Sequence, residues 1–390
     1  MSSKIIPYGR QTITDADIEA VTKTLRSDFL TQGPAIAEFE KTFAAYTGAK
    51  YAIALSNGTA ALHLCAMALD IKEGTRVITT PITFAASANC VRYCGGEVHF
   101  ADIDPDTFLL DIKKVRALLE KHPKGYFSGI IPVDFTGNAV NLEEYRKLAD
   151  DFGCWIIEDA CHAPGGYFTD SKGIKQNCGN GNFADLAIFS FHPVKHIATG
   201  EGGMITTNSK ALYDKINLLR THGITKDATK YKNSPDEIAQ GGWYYEMQEL
   251  GYNYRLTDFQ AALGTSQMQR AGENLARRIE LAKRYDNAFK GTKVIPAPSI
   301  EGNAYHLYVI SVDDRPGLYE HLRSENIFAQ VHYVPVHLMP YYKQFGHKKG
   351  DHPLAEAYYE KCLSIPMYHS LSNEDQDRVI STILSYIKNK

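Results

Sequence analysis

Short apolar runs alternate with amphipathic helical runs along the first half of this 390-residue chain. The runs at Tyr51–Leu55, Arg76–Thr79, 97–101, 129–133 and 155–157 have strand character, and helical patterns lie between them. Consecutive strands separated by helices need crossover connections, so this order predicts a mainly parallel sheet with helices on both faces. In such α/β folds ligands bind outside the carboxyl ends of the strands, and we expect the functional residues there.

One lysine and one aspartate follow such strand ends. Lys195 lies just past the apolar run 187–191, five residues after Ser190 and before a glycine-rich turn. Asp159 ends another apolar strand, and His162 follows three residues later. Pyridoxal 5′-phosphate (PLP) needs such a pair, because an amine attaches the cofactor and a carboxylate keeps its pyridine nitrogen protonated. The two residues together predict a PLP site.

A third strand end carries Ser56, Asn57, Gly58 and Thr59, followed by an Ala/Leu-rich helical run. Free backbone N–H groups and the dipole at the start of that helix can bind a phosphate. The pattern also fits an ordinary strand–turn–helix connection. It is neither a Walker loop nor a GxGxxG fingerprint, so it gives no support to a nucleoside triphosphate or dinucleotide site.

Seven short segments occur in a fixed order along nearly the whole chain. They are Leu30-Thr-Gln-Gly33, Ser56-Asn-Gly-Thr59, Thr80-Pro-Ile-Thr-Phe84, Pro132-Val-Asp-Phe-Thr-Gly137, Glu158-Asp-Ala-Cys-His162, the lysine segment 189–203, and Gly251-Tyr-Asn-Tyr-Arg-Leu-Thr-Asp258. With them the chain resembles the DegT/DnrJ/StrS sugar aminotransferase family, PLP enzymes that aminate nucleotide-linked keto-sugars. The resemblance implies a fold type I PLP-dependent transferase, with a large PLP-binding domain and N-terminal arm over residues 1–265. A small C-terminal α+β domain is expected over 266–390.

The resemblance also implies roles for individual residues. The expected catalytic residues are Lys195, which forms a Schiff base with PLP, Asp159 and His162. The other expected cofactor ligands are Gly58, Thr59, Phe84 (which stacks on the ring), Ser190 and Asn253. Residues similar to those that line the sugar-nucleotide pocket are Tyr8, Leu30, Thr31, Gln32, Gly33, Ala329, Gln330, Val331, His332 and Tyr333.

Three of these residues have a plain structural alternative. Phe84 also fits a core position, Ser190 a buried hydroxyl bonded to backbone, and Asn253 a cap for its own helix. In the family, the residue at the position of Asn253 reaches the cofactor phosphate of the neighbouring subunit. The resemblance therefore implies a homodimer with shared active sites.

Four features point to one part of the family: Phe191-His-Pro-Val-Lys195, His162, Arg220-Thr-His-Gly-Ile and Ala329-Gln-Val-His-Tyr333. They are similar to enzymes of pseudaminic acid synthesis that move an amino group from L-glutamate to C4 of a UDP-linked 4-keto-6-deoxy-N-acetylhexosamine. A GDP- or dTDP-linked keto-sugar stays an alternative substrate. A PLP sugar dehydratase would carry histidine in place of Lys195. A non-catalytic regulator would have lost the lysine, aspartate and serine set.

Composition excludes several other classes. The formal net charge of −3 argues against a nucleic-acid surface. No apolar run is long enough to cross a bilayer, and the seven cysteines without close CxxC pairs indicate reduced thiols in the cytoplasm.

A metal site is not expected. Pro193 separates His192 from His196, and the pair His332 and His337 flanks a Val-Pro dipeptide. Roles for Asp134, Arg255 and the long polar segment 221–248 stay open at this stage.

Overall fold

A computed structural model describes residues 4–234 and 241–388 of the chain. Part of the polar segment 221–248, residues 235–240, lies outside the described residues. The helices are α1 (Asp15–Leu25), α2 (Pro34–Thr47), α3 (Gly58–Ala68), α4 (Ala86–Tyr93), α5 (Ile112–Glu120), α6 (Leu142–Phe152), α7 (Lys210–Arg220), α8 (Asp258–Met268), α9 (Ala271–Phe289), α10 (Arg315–Ser324), α11 (Pro340–Lys343), α12 (Pro353–Lys361) and α13 (Asn373–Lys388). The strands are β1 (Tyr51–Leu55), β2 (Arg76–Thr79), β3 (Glu97–Phe100), β4 (Gly129–Ile131), β5 (Trp155–Asp159), β6 (Tyr167–Thr169), β7 (Lys175–Asn177), β8 (Leu186–Ser190), β9 (Gly203–Thr207), β10 (Ile224–Thr225), β11 (Glu246–Met247), β12 (Ile295–Pro296), β13 (Tyr308–Ser311) and β14 (Cys362–Ile365).

A seven-stranded sheet forms the centre of the fold, in the order β1-β9-β8-β5-β4-β2-β3. The strands β8, β5, β4, β2 and β3 pair in parallel, and β9 pairs antiparallel with both of its neighbours. Large clusters of buried apolar side chains cover the two faces of this sheet. The predicted α/β architecture with a mainly parallel sheet is therefore confirmed.

The C-terminal part has its own three-stranded sheet, in the order β12-β13-β14, and its own buried apolar cluster. Ile6 belongs to this cluster, because the N-terminal segment pairs with the C-terminal part through a bridge between Ile6 and Ile327. The division at residues 265 and 266 stays a prediction, and it falls within α8. The polar segment contributes β10 and β11, which pair antiparallel.

Helix α8 packs tightly against α2 at Gly264. A Cβ atom added to Gly264 would lie 2.5 Å from the ring of Phe39, whose side chain is fully buried. Gly272 in α9 lies in open space, with nothing within 4 Å of an added Cβ. The two glycines therefore form a matched pair in neighbouring helices.

We expect Gly264→Ala to destabilise the protein by about 1–3 kcal/mol, because the Phe39 ring cannot make room without repacking. Gly272→Ala should be neutral or stabilising by up to about 1 kcal/mol, because alanine favours the helix and meets no neighbour. Urea unfolding of both variants beside the parent measures the difference. Equal effects of the two substitutions would contradict the close packing of α2 on α8.

Candidate active site

A cavity of about 1100 Å³ opens at the carboxyl ends of β1, β5 and β8. Its walls come from this edge of the sheet, from the start of α3 and from residues 330–334 of the C-terminal part. The cavity brings together most of the residues predicted from the sequence, namely Tyr8, Gly58, Thr59, Phe84, Asp159, His162, Ser190, Lys195, Gln330, Val331, His332 and Tyr333.

Gly203, the first residue of β9, sets the distance between two strand ends. It pairs with Leu55 at the end of β1 and with Ser190 at the end of β8. A Cβ atom at this position would lie 2.4 Å from the carbonyl oxygen of Asn57, so no larger residue fits. Helix α3 consequently begins directly beside the end of β8.

The first turn of α3 faces the cavity with free backbone donors. The Asn57 side chain caps the helix by accepting the N–H of Ala60 at 2.7 Å. The N–H groups of Gly58 and Thr59 have no intrahelical acceptor, and both residues line the cavity. A Cβ at Gly58 would lie 3.1 Å from Cβ of Ser190, so this turn and the Ser190 hydroxyl form one polar corner.

Asp159, the last residue of β5, is held by bonds to both its backbone and its carboxylate. Its Oδ2 accepts a hydrogen bond from Ser87 Oγ at 2.6 Å, and its Oδ1 accepts the N–H of Cys161 at 3.2 Å. Its backbone carbonyl accepts the N–H of Asp134 at 3.0 Å. These bonds fix the carboxylate at the cavity wall.

Four buried histidines surround this part of the cavity: His162, His196, His306 and His332. His162 Nε2 lies 3.2 Å from the Tyr333 hydroxyl, and its ring centroid is 4.3 Å from that of His306. Burial lowers the pKa of His162, His196 and His306 well below the usual range, and it lowers that of His332 to about 3. All four rings are therefore uncharged at neutral pH.

Lys195 is the one lysine in the cavity wall, and no arginine lines the cavity in the described part of the chain. Its Nζ lies 3.4 Å from His306 Nε2. Burial lowers the pKa of Lys195, while the neighbouring Cys161 and Asp159 act in the opposite direction. The amine is therefore easier to deprotonate than a surface lysine.

Two further buried carboxyl groups, those of Asp134 and Glu158, lie near Asp159. Asp134 and Glu158 are 0% and 2% exposed, and their oxygens lie within 4.8 Å of each other and of the Cys178 sulfur. Glu158 accepts the N–H of Gly179, and Asp134 Oδ1 accepts the N–H of Val140 at 2.8 Å. Asp134 Oδ2 is buried without a hydrogen-bond partner, which leaves it free to share a proton with Glu158.

Six of the sequence-predicted residues lie away from the cavity wall. Ala329 is buried in the C-terminal core, and Gly33 donates its N–H to Asp258 Oδ2 at 2.8 Å, next to the remaining residues of the 30–33 segment. Asn253 is exposed, while its neighbours Tyr252 and Tyr254 pack on His63 of α3 with ring centroids 5.0 and 5.9 Å away. In an extended backbone, alternate side chains point in opposite directions, so Asn253 faces away from its own α3.

Several cavity residues were not predicted from the sequence. Ser87, His306, Tyr252, Tyr254 and His63 all line the cavity. Alternation within the run 305–312 is a signal for His306, and the two tyrosines flank Asn253, which the sequence predicts as a cofactor ligand. Ser87 gave no signal beyond its position in the helix after Phe84.

The histidine pairs considered for a metal do not converge. His196 Nε2 bonds the carbonyl of Ala304 at 2.8 Å, while His192 is exposed. His337 Nε2 pairs with Glu356 Oε1 at 3.0 Å, away from His332, whose Nδ1 bonds Ser364 Oγ at 2.8 Å.

Across residues 4–234 and 241–388, no helix is long and apolar enough to cross a membrane.

Comparison with known proteins relates the chain to sugar aminotransferases by sequence and by structure. Residues 11–384 match the model of the DegT/DnrJ/EryC1/StrS aminotransferase family. The chain is 38% identical to the UDP-4-amino-4,6-dideoxy-N-acetyl-beta-L-altrosamine transaminase of Campylobacter jejuni (serotype O:23/36), over 98% of each chain.

Two solved structures have nearly the same fold. Spr1654 of Streptococcus pneumoniae, described as a sugar aminotransferase and solved in its PMP form, superposes with a TM-score of 0.88 at 29% identity, covering 98% of this chain and 99% of that one. PseC of Helicobacter pylori, an aminotransferase involved in the biosynthesis of pseudoaminic acid, superposes with a TM-score of 0.86 at 29% identity, covering 99% and 100%.

The buried pair Asp134 and Glu158 predicts a pH dependence of stability. Burial raises the pKa of Asp134 to about 7 and that of Glu158 well above its usual range. A carboxyl group with a raised pKa stabilises the fold while it is protonated, so this contribution falls as the pH rises from about 4 towards 7. For Asp134→Asn, whose amide cannot ionise, the free energy of unfolding should fall less over that range, by on the order of 1–4 kcal/mol.

Urea unfolding at several pH values measures this difference. The control is Asp151→Asn, which changes an exposed carboxylate on α6 and should follow the parent curve. Parallel curves for the parent and Asp134→Asn would show that the two carboxyl groups do not share a proton.

Proposed function

The chain belongs to the DegT/DnrJ/EryC1/StrS aminotransferase family of PLP enzymes, and on that basis we propose that it transfers an amino group from L-glutamate to C4 of a UDP-linked 4-keto-6-deoxy-N-acetylhexosamine. The products are 2-oxoglutarate and the 4-amino sugar nucleotide. The observation that carries the proposal is one cavity of about 1100 Å³ that holds Lys195, Asp159 and Ser190 and has room for a cofactor and a sugar nucleotide. The similarity to the altrosamine transaminase and to PseC supports the choice of sugar.

The residues present fit PLP. The polar corner of Gly58, Thr59 and Ser190 is a helix N-terminus with free donors, which suits a phosphate. Phe84 is 63% exposed although it lies in a cavity wall, so one face of its ring is available for stacking on the cofactor. Asp159 supplies the carboxylate for a pyridine nitrogen, and Lys195 supplies the amine.

When bound, PLP supplies an aldehyde that exchanges amino groups and a protonated ring that withdraws electrons. Lys195 would attach the cofactor and, once released, take a proton from Cα of the amino donor at Nζ and pass it on. A lowered pKa suits this work, because an amine must be uncharged to accept a proton. Lys195 therefore acts in turn as nucleophile, general base and general acid.

Asp159 would hold the proton on the ring nitrogen. Its Oδ2 already accepts a hydrogen bond from Ser87, which fixes the orientation of the carboxylate. His162, uncharged and 3.2 Å from the Tyr333 hydroxyl, lines the same cavity three residues after Asp159 and would help to orient that carboxylate. This arrangement keeps a negative charge at the place where the pyridine nitrogen needs one.

The sugar nucleotide would bind on the side of the C-terminal part. Tyr8 and His332 lie with ring centroids 5.4 Å apart, and Gln330 and Tyr333 complete this wall. The phosphates of PLP and UDP need several hydrogen-bond donors, yet Lys195 is the one lysine and no arginine is present in the wall built by the described residues. This shortage of basic side chains leaves room for further donors from a second chain.

We place that contribution in a homodimer with shared active sites. Asn253 faces away from its own cavity, and the 30–33 segment packs against the start of α8 outside the cavity. Exposed apolar side chains cluster in the same segments, including Phe29, Leu30 and Leu250. A two-fold axis near these segments would let Asn253 reach the phosphate corner of the partner.

All seven cysteines are unpaired, which supports a cytoplasmic location.

The substrate is tested with purified UDP-, GDP- and dTDP-linked 4-keto-6-deoxy sugars and L-glutamate. The UDP-linked N-acetylhexosamine should be aminated fastest, and faster turnover of a GDP- or dTDP-linked sugar would replace the proposed substrate.

Lys195→Ala should lose at least about 1000-fold in activity, because nucleophile and proton carrier disappear together. Lys290→Ala, at an exposed position, is the control. Borohydride reduction and peptide mapping should place the cofactor on Lys195, and a label elsewhere would overturn the assignment.

The shared site is tested by complementation. Lys195→Ala and Asn253→Asp are each expected to be inactive, the second because a carboxylate would face a phosphate. In a mixed dimer, one pocket combines an intact Lys195 with an intact Asn253 from the other subunit. After subunit exchange in an equal mixture, activity should recover to about a quarter of the parent value. No recovery despite demonstrated exchange would show that each chain holds a complete site.

A further inference from the structure

The Lys195 amine has one hydrogen-bonding neighbour in the described part of the chain, and that neighbour is His306. The two nitrogens, Lys195 Nζ and His306 Nε2, are 3.4 Å apart. His306 is 4% exposed and its ring packs against that of His162. Its Nδ1 is buried without a hydrogen-bond partner, so the polar contact of this imidazole is directed to the lysine amine.

The backbone on either side of His306 is fixed to the turn after β4. Ala304 donates its N–H to the carbonyl of Gly137 at 2.9 Å, and Leu307 donates to that of Thr136 at 3.1 Å. Tyr305 adopts a left-handed conformation with φ of 48°, which a tyrosine takes only when its surroundings impose it. The position of His306 is thus determined by contacts on both sides.

A buried arginine completes this arrangement. Arg278 of α9 is 1% exposed, and its Nη1 donates to the carbonyl oxygens of Tyr305, His306 and Met367 at 3.1–3.3 Å. It forms no ion pair with a carboxylate in the described ranges. The guanidinium is therefore a positive charge that backbone dipoles solvate but that no carboxylate among the described residues neutralises.

This charge acts on both members of the pair. Burial lowers the pKa of His306 well below its usual range, and Lys195 and Arg278 lower it further. Burial also lowers the pKa of Lys195, and Arg278 adds to that effect. The ionisable groups that face the pair from neighbouring elements are Asp159, Cys161, His162, His196 and His332.

We infer that His306 is a further catalytic residue, which orients the Lys195 amine whenever that amine is free, and that Arg278 is the positioning residue that keeps His306 in place and supplies the positive charge beside this pair. This inference rests on the proposed role of Lys195. When Nζ takes a proton from Cα of the amino donor, the lysine becomes an ammonium. One N–H group of this ammonium then donates a hydrogen bond to the Nε2 lone pair of His306. The proton stays on the lysine until Nζ gives it up. An uncharged imidazole aims the amine without removing its proton.

The test uses the half-reaction with L-glutamate, in which the PLP-loaded enzyme is converted in a single turnover without any sugar. His306→Phe, which keeps a ring but no acceptor, should slow this step by about 100-fold. Deuterium at Cα of glutamate should then slow the reaction more than it does in the parent. His306→Gln, which keeps an acceptor, should recover part of the rate. A rate within about twofold of the parent for His306→Phe would overturn the catalytic role.

Arg278 is tested without turnover, by the pH dependence of PLP coupling to Lys195 in the apoprotein. Arg278→Gln keeps hydrogen-bond donors but removes the charge, so the midpoint pH for coupling should rise. Arg278→Lys keeps the charge and should stay near the parent. An unchanged midpoint in Arg278→Gln would overturn the role of the guanidinium.

The controls separate failure of this inference from failure of the proposed function. A wrong sugar assignment leaves both experiments unaffected, because neither contains a sugar. If Lys195→Ala performed the glutamate half-reaction normally, the role proposed for Lys195 would fail. If it did not, while His306→Phe reacted like the parent, the inference about His306 alone would fail.

Discussion

The site depends on how closely β9 passes the turn between β1 and α3. Gly203 pairs with both Leu55 and Ser190, and the absence of a side chain lets the Asn57 carbonyl approach it. Because β9 runs antiparallel between two strands of the same direction, the ends of β1 and β8 lie at one edge of the sheet. The phosphate corner and Asp159 lie along that edge, so their spacing is a property of the sheet, and Lys195 follows in the loop after β8.

Much of this edge could be predicted from the sequence because its signals are local. Asp159, Ser190 and Lys195 follow apolar strands, and Gly58 and Thr59 begin a capped helix, so each position follows from a neighbouring element. His306 depends instead on three distant segments: the turn at Thr136, the buried Arg278 and the loop that carries Lys195. The run 329–332 joins the cavity wall through one bridge from Gln330 to Ser364 of β14, which is a pairing between segments distant in the sequence.

The site contains few charged side chains. His162, His306 and His332 lie in the cavity wall and His196 lies behind His306, but burial keeps all four uncharged, so they contribute shape and hydrogen bonds. Asp159 provides a carboxylate on the sheet side, Lys195 provides the amine, and the more distant Arg278 provides a buried positive charge. A proton transfer between carbon and nitrogen benefits from this sparse arrangement, because few charges compete with the reacting amine in a poorly solvated pocket.

The attachment of the N-terminal segment to the C-terminal part has a mechanical consequence. Ile6 exchanges backbone hydrogen bonds with Asn326 and Phe328, and the Tyr8 carbonyl accepts the N–H of Met367. His332, which faces Tyr8, is anchored in the same C-terminal sheet through Ser364. Any rotation of the C-terminal part against the central sheet would therefore move the rings of Tyr8 and His332 together. The distance from these rings to Phe84 would change, while the surface that the two rings present to a substrate would keep its shape. Entry to the cavity and the shape of the sugar-binding wall would thus be independent of each other.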